Sequence, residues 1–549
     1  MGRIRGVILR WLMVLVALVA LTTSLLAHNL ILAAAEPGVV AGDGANYGSE
    51  WTGLVTVAPP PAGATTTPGP NCRYGAVSWE AEDTAWLPEL GVGWRLNFTA
   101  DEYVTNPGDV EFVPVIRVKQ DRDANGGYLP TYTTTPPLTE SGLGNRLAGR
   151  PGALWIVGNE VDRVDVQDDT YADVYATAYH DVYTFIKERD PSAQVAISGL
   201  VQVTAGRLQY LEQMWAAYRE QYHAPMPVDV WNMHVYILPE KRADGSGTGA
   251  HIALGTDPEL AILESGGDPA LCPLDNVYCY AEHDDLNLFA EHVVAMRTWM
   301  KEHGQQDKPL ILSEFSILYV FIDYDNYLNP TTCYLQDEYG NCFTPPRVSD
   351  FMVGAFDYLE GAADPDLGFP RDDDRLVQQW MWFSTYVDVG VTGGASNLLT
   401  EDLTGLTQMG QTFRDEVVAR PLTLNLTPDE LAPSVAFTST PGGTVDVSLE
   451  AAVRNNGNTE VTTPFQVSFY ADPDLTQLIG TTTIGSVGGC ARQPQEATVV
   501  WPGLTSGYHH FWVKVDSAAQ VSESDEGDNV TSSFVLVNPY QSSLPLLQN

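Results

Sequence analysis

Two glutamates stand out, each at the end of a short apolar run. Leu154-Trp155-Ile156-Val157-Gly158-Asn159 leads into Glu160, and Pro309-Leu310-Ile311-Leu312-Ser313 leads into Glu314. Packing gains nothing from a carboxylate placed just past a buried strand, so chemistry is the better reason for it. Paired carboxyls suit cleavage of a glycosidic bond. One protonates the leaving oxygen while the other attacks the sugar carbon, and in the retaining reaction the two sit roughly 5–5.5 Å apart. The pair also needs its pKa values pushed apart, with one group protonated and one ionised. Arg95, His234 and Tyr236 lie on other apolar runs, where a cation or donor would lower the pKa of the attacking carboxylate. The plainer readings are that Arg95 pairs with a carboxylate in the interior and that His234 is a satisfied core histidine.

The elements that must position these residues lie between Cys72 and about Pro421. Eight short apolar runs can be counted: Tyr74–Trp79, Trp94–Phe98, Phe112–Val118, Leu154–Asn159, Gln194–Leu200, Val228–Tyr236, Pro309–Phe315 and Gln379–Tyr386. Between them, Tyr175, Ala178, Val182, Phe185 and Ile186 line one helical stripe, and Leu208, Leu211, Met214 and Trp215 another. Phe289, Val293, Met296 and Met300 line a third, behind Asp284 and Asp285 at the N-cap place. These stripes read as core. Strand-helix alternation with eight strands predicts an α/β fold, a TIM (β/α)₈ barrel over 72–421, whose strand ends gather distant residues at one mouth. The stretch from Phe98 to Phe112 contains Pro107-Gly108 and is too short for a full crossover helix, so the barrel is expected to be irregular there. An open doubly wound sheet is the alternative, but no Gly-rich phosphate loop follows the first run. Trp79, at the first strand end, is placed either to pack or to stack on the apolar face of a sugar ring, and the open strand end favours sugar.

Past Arg420 helical periodicity gives way to short alternating runs separated by turns, such as Val445–Ala452, Phe465–Tyr470, Glu496–Trp501 and His509–Val515. These predict an all-β, immunoglobulin-like sandwich over 428–538, with a loose tail at 539–549. At the other end, Arg3, Arg5 and Arg10 precede an apolar stretch from Trp11 to Ala27 and then Ala33-Ala34-Ala35. Residues 1–35 therefore read as a secretory signal or an uncleaved membrane anchor, and 36–71 as a Gly/Pro/Thr-rich linker. The expected location is secreted or on the cell surface. In that compartment Cys272 with Cys279, and Cys333 with Cys342, read as local disulfide staples. Cys72 and Cys490 are left in different domains, with their pairing open. With 28 Lys and Arg against 70 Asp and Glu, the chain carries a formal charge of −42. That field repels nucleic acid and anionic lipid, and leaves membrane contact only to an uncleaved N-terminal segment.

Several motifs carry a resemblance. Gly158-Asn159-Glu160, His234-Val235-Tyr236, Ser313-Glu314-Phe315 and Trp380-Met381-Trp382-Phe383, with Leu406-Thr407-Gln408-Met409-Gly410 after them, resemble the clan A retaining glycoside hydrolases. The Trp-x-Trp-Phe ending looks closest to the alkali-sensitive-linkage type, whose members include β-1,3-glucanases. Val161 departs from the Pro that many members carry after the acid/base. The resemblance implies Glu160 as acid/base and Glu314 as nucleophile, and Asn159 on the sugar 2-hydroxyl. It also implies Tyr236 and Arg95 holding the nucleophile, and Trp382 beneath the sugar. In the C-terminal domain, Val453-Arg454-Asn455-Asn456-Gly457 and the run Val521-Ser522-Glu523-Ser524-Asp525-Glu526, with Asp528-Asn529, resemble the bacterial cell-adhesion-related (CARDB) domain. The acidic run offers clustered oxygens of the kind Ca²⁺ takes, and a solvated turn is the plainer reading. No other cofactor is expected, and no His-rich metal set is present in the sequence.

The expectation is an exported retaining glycosidase acting on a β-linked polysaccharide or oligosaccharide. The rival is a non-catalytic surface protein that binds cell-surface or cell-wall glycan through a glycosidase-like barrel.

Overall fold

Each of the eight apolar runs holds a strand in the computed structural model, which describes residues 70–539 apart from 165–166, 242–249, 320, 322–332, 334 and 389–392. The expected leader, the linker up to residue 69 and the tail from residue 540 lie outside the described residues. The strands are β1 (Asn71–Ala76), β2 (Val92–Arg95), β3 (Glu111–Phe112), β4 (Val115–Arg122), β5 (Tyr128–Thr135), β6 (Leu154–Val157), β7 (Gln194–Ala196) and β8 (Trp231–Val235). Two small pairs follow, β9 (Glu240–Lys241) with β10 (Ala250–His251) and β11 (Leu263–Glu264) with β12 (Val277–Tyr278); then come β13 (Leu310–Phe315) and β14 (Gln379–Trp382).

One sheet runs β3-β2-β1-β14-β13-β8 and is parallel throughout. The other runs β5-β4-β6-β7, parallel except for β5, which folds back on β4 as an antiparallel arm. A parallel bridge between Ala196 and Val230 joins the sheets on one side. On the other, the amide of Val115, the first residue of β4, donates to the carbonyl of Thr99, just past β2, over 2.9 Å. All strands of these two sheets but the β5 arm therefore end at the same face.

Side-chain alternation divides the strand residues into two populations. Val77, Trp94, Leu96, Val115, Leu154, Ile156, Ala196, Ile311 and Met381, drawn from both sheets, meet in one inner cluster. Tyr74, Ile116, Trp155, Val157, Trp231, Leu312, Phe315, Trp380 and Trp382 point the other way, against the helices. Burial of each large side chain is worth roughly 1.5–3 kcal/mol, so a one-residue slip that inverted a strand is strongly disfavoured. The long helices α1 (Ala172–Arg189), α2 (Ala205–Tyr222), α3 (Leu286–Glu302), α4 (Pro345–Gly361) and α5 (Gln408–Ala419) present buried stripes to that outer set. α3 is capped by Asp285, whose carboxylate accepts from the Asn287 and Leu288 amides at 2.7 and 3.2 Å. Residues 96–110 contain no helix.

The all-β domain has a three-stranded sheet and a five-stranded sheet. The first is β15 (Leu426–Pro428), β17 (Val445–Asn455) and β20 (Gln495–Leu504). The second runs β16 (Ser434–Ala436), β22 (Val530–Val537), β21 (Gly507–Lys514), β18 (Phe465–Tyr470) and β19 (Leu478–Ile484). Leu449, Val453 and Val499 from one sheet meet Phe469, Phe511, Val513 and Val535 from the other in a common core. The acidic run forms a turn beside β15. Glu523 accepts from the Leu426 amide at 2.5 Å, and the Asn529 amide donates to Glu523 and Glu526 at 3.2 and 3.4 Å. Among the described residues, the acidic run is not one of the groups that bring three ligand atoms within 4.8 Å of one another.

Sulfur bonds join Cys272 to Cys279, Cys333 to Cys342, and Cys72 to Cys490. The last ties β1 to the all-β domain. Next to it the buried Arg73 donates to both Asp372 carboxylate oxygens (3.1 and 3.0 Å) and to the Asn456 carbonyl (3.0 Å). Gln194, at the start of β7, donates to the Arg492 carbonyl, and Arg492 pairs with Glu111 at the start of β3. The all-β domain thus packs on the end of the sheets where the strands begin.

Candidate active site

The opposite end, where the strands finish, holds the two glutamates. On β13 alternation alone would send Glu314 outward, because Ile311 lies inside and Leu312 outside. The pairing with β8 slips by one residue between Leu312 and Glu314. This bulge turns Ser313 and Glu314 to the same side and returns Phe315 to the outer layer, a bulge's usual way of re-aiming a side chain. On β6 the turn comes through the backbone: Gly158 (φ 88°) and Glu160 (φ 45°) both take left-handed conformations. A Cβ on Gly158 would lie 2.6 Å from Val161, so the turn needs glycine there. Asp168 clamps the loop by accepting from the Asn159 and Val118 amides, each at 2.9 Å. Strained non-glycine backbone of this kind concentrates at functional sites.

His234 and Tyr236 follow Asn232 on the inner face of the β8 run and reach the same point. The Tyr236 hydroxyl donates to Glu314 Oε1 at 2.7 Å. His234 Nδ1 lies 3.3 Å from Glu160 Oε1 and 3.7 Å from Glu314 Oε2, while Nε2 lies 3.1 Å from Ser313 Oγ. Gly199 leaves room for this ring, since a Cβ there would sit 2.3 Å from His234 Cδ2. Ligand atoms of Glu160, His234 and Glu314 all lie within 4.8 Å of one another. Arg163, one turn after Glu160, donates to Glu160 Oε2 at 3.0 Å.

The environments separate the two acids. Burial opposes charge on Glu160, but Arg163 and His234 outweigh it and hold the pKa at about 2. Burial dominates at Glu314, where His234 opposes it and the Glu160 charge reinforces it, and the pKa is pushed up to about 7. Burial also works against a charged His234, yet the two carboxylates raise its pKa. The unliganded pair therefore shares one proton near neutrality, resting on Glu314, whereas the resemblance implies Glu160 as the proton donor.

Two expected site residues lie elsewhere. Arg95 sits between the inward Trp94 and Leu96, so it points outward, onto the Phe112 ring at 4.8 Å, with Asn106 on its Nε. It does not hold Glu314. Trp382 shares the outward parity of Trp380; it is fully buried, donates to the Ser396 carbonyl at 2.9 Å and packs on Phe315. It cannot lie beneath a sugar. Phe383, one residue on, faces inward instead and forms an aromatic group with Trp79 and Phe98, ring centroids 6.1–6.4 Å apart. Asn159 precedes Glu160 and donates to Gln167 at 3.3 Å. Arg163, Phe98 and Phe383 are not among the site residues the sequence points to. Phe98 and Phe383 lie two residues beyond the inward Leu96 and Met381, a period-2 signal that was available.

Residues 429–533 match the CARDB family model, so the chain carries a C-terminal CARDB domain. No curated protein matches the chain. Among solved structures, the chain is similar to a GH128 (subgroup I) endo-β-1,3-glucanase from Amycolatopsis mediterranei in complex with laminarihexaose, with 14% identity over 62% of this chain and 98% of that one and a TM-score of 0.36. It is also similar to a GH128 (subgroup VII) oligosaccharide-binding protein from Trichoderma gamsii, with 12% identity over 63% and 95% and a TM-score of 0.34. The CARDB domain of a Pyrococcus furiosus protein in complex with di-metal ions matches with 23% identity over 22% of this chain and 97% of that one, at a TM-score of 0.18.

Proposed function

We propose that the chain is an exported retaining glycoside hydrolase acting on a β-linked polysaccharide or oligosaccharide. In this reading the two parallel sheets close as a (β/α)₈ barrel and the CARDB domain is an immunoglobulin-like appendage. One observation carries it: two buried carboxyls with oxygens within 4.8 Å and opposed pKa shifts. That spacing suits the roughly 5–5.5 Å of a covalent double displacement and leaves no room for the water that inversion needs at roughly 6.5–9.5 Å. Glu160 gives its proton to the glycosidic oxygen as Glu314 Oε2 bonds to the sugar carbon and the leaving group departs. Tyr236 meanwhile holds Glu314 Oε1. Glu160, now ionised, takes a proton from water, which attacks the same carbon and frees Glu314. Since the free pair carries its proton on Glu314, sugar binding must move it to Glu160, with Arg163 displaced from Oε2. The Trp79, Phe98 and Phe383 group supplies the apolar surface for a sugar face.

The test is hydrolysis of β-glucans, mannans and xylans by the wild type and by Glu160→Gln and Glu314→Ala. Each substitution is expected to cost about 10²–10⁴-fold or more in kcat. NMR of the first product should show the β anomer. Full turnover by either variant, or an inverted product, removes the mechanism. Tight oligosaccharide binding by folded wild type with no product released would favour the glycan-binding alternative.

A further inference from the structure

The segment after β2 and the β4–β5 arm enclose a cavity of about 360 Å³ that the chemistry above does not use. Its lining includes Tyr103, Arg117, Thr135, Pro136, Ser141 and Arg146. We infer that this cavity is a remote subsite for a neutral sugar residue of the substrate chain; the inference rests on the hydrolase reading and assigns it a preference for longer chains.

Position is the first argument. Arg117 lines the cavity and also donates to Gln167 Oε1 at 3.0 Å, the same oxygen that accepts from the Asn159 amide at 3.3 Å. Asn159 precedes Glu160, so the cavity and the acid pair share a wall. Thr99, on the cavity's other side, follows Phe98 of the aromatic group. The cavity is thus tied both to the loop that carries Glu160 and to the strand end that carries Phe98.

Chemistry is the second. Both lining cations are already neutralised. Arg146 donates to both Asp101 oxygens at 2.8 Å, and Arg117 to Asp168 at 2.6 Å. An anionic ligand would have to break these pairs, whereas a neutral ligand leaves them intact. The hydroxyls of Thr99, Thr135 and Ser141 can meet ring hydroxyls, and Pro136 and the Tyr103 ring supply apolar faces. Tyr103 is 71% exposed, with φ at 54°. An aromatic ring held in solvent by a left-handed backbone has no packing role in the unliganded protein, and stacking on a sugar gives it one. The volume lies within the roughly 300–1,000 Å³ of small-ligand sites.

The test is calorimetric binding to full-length protein carrying Glu314→Gln, which should bind without turnover. The probes are disaccharides and hexasaccharides of β-1,3-glucan, β-1,4-glucan, β-1,4-mannan and β-1,4-xylan. Adding Tyr103→Ala should weaken the best hexasaccharide about fivefold and leave its disaccharide unchanged, and Tyr103→Phe should restore the hexasaccharide. If the hexasaccharide binds and Tyr103→Ala does not weaken it, or weakens the disaccharide equally, the subsite is overturned while the hydrolase reading stands. If no probe binds and the wild type releases no sugar, both fall.

Discussion

Arg163 provides a sharp test of the electrostatics. A retaining pair works with one proton between two carboxyls, so kcat/KM should follow the singly protonated population, bounded by the pair's two apparent pKa values. Values of about 2 and about 7 define a broad bell. Its centre lies near pH ~4.5, and at pH 8 only about a tenth of the molecules retain the proton. Arg163→Gln removes the cation 3.0 Å from Glu160 Oε2 and leaves His234 in place. Coulomb's law with an effective dielectric near 20 gives roughly 5 kcal/mol for such a contact, an upper bound because the side chain is 30% exposed. Carboxylates beside arginine are ordinarily lowered by about 1–3 pH units, or ~1.4–4 kcal/mol, and that range sets the expectation. The acidic limb of the variant should therefore move up by about 1–3 units, while the alkaline limb moves much less. The assay is initial-rate kinetics from pH 2 to 9 under conditions where kcat/KM is measured directly. An acidic limb that stays in place would refute the assignment of Arg163 as the group that keeps Glu160 ionised.

Three further outcomes are expected. In the unfolded chain Glu314 ionises near pH ~4.5, but in the native state it keeps its proton up to about 7, so the unfolded state binds fewer protons in that window and stability falls as pH rises. Glu314→Gln should remove a loss of about 2.5 kcal/mol between pH 5 and 8, together with the part of the His234 titration that the Glu314 charge raises, seen as a smaller difference between urea melts at the two values. The Glu160 contribution changes mainly below pH ~5 and leaves that window nearly clear. Gly199→Ala should push the His234 ring away, lowering kcat about 100-fold or more while costing roughly 1–3 kcal/mol of stability, read by kinetics and thermal melting. Replacing both Cys72 and Cys490 with Ser should lower stability by about 2–5 kcal/mol in chemical denaturation and leave kcat unchanged, since the bond lies at the other end of the sheets.

The parts of this architecture visible in the sequence are those that depend on local periodicity. Glu160 and Glu314 were legible because each closes an apolar run, and the stripes of α1 and α3 because they repeat every helical turn. Arg95 and Trp382 show the limit of transferring a motif. Trp94, Leu96 and Phe98 form a period-2 row that already sends Arg95 to the other face, and Trp380 fixes Trp382 in the same manner. The Ser313 bulge left no comparable trace, because one extra residue in a ladder is specified by its neighbouring strands. The β5 arm lies between the third and fourth apolar runs, and its Thr-rich sequence with Pro130 reads equally well as coil. Arg163 becomes significant only once the left-handed turn at Glu160 brings it back over the carboxylate.

The Cys72–Cys490 bond closes nearly the whole described chain into one covalent ring, with a sequence separation of 418. A protease that cuts once within that span produces two pieces that remain fastened together, and both the glutamate pair and its supporting strands lie inside it. Such a nick would appear only on a reducing gel. The unreduced molecule would keep its mass, save for one added water.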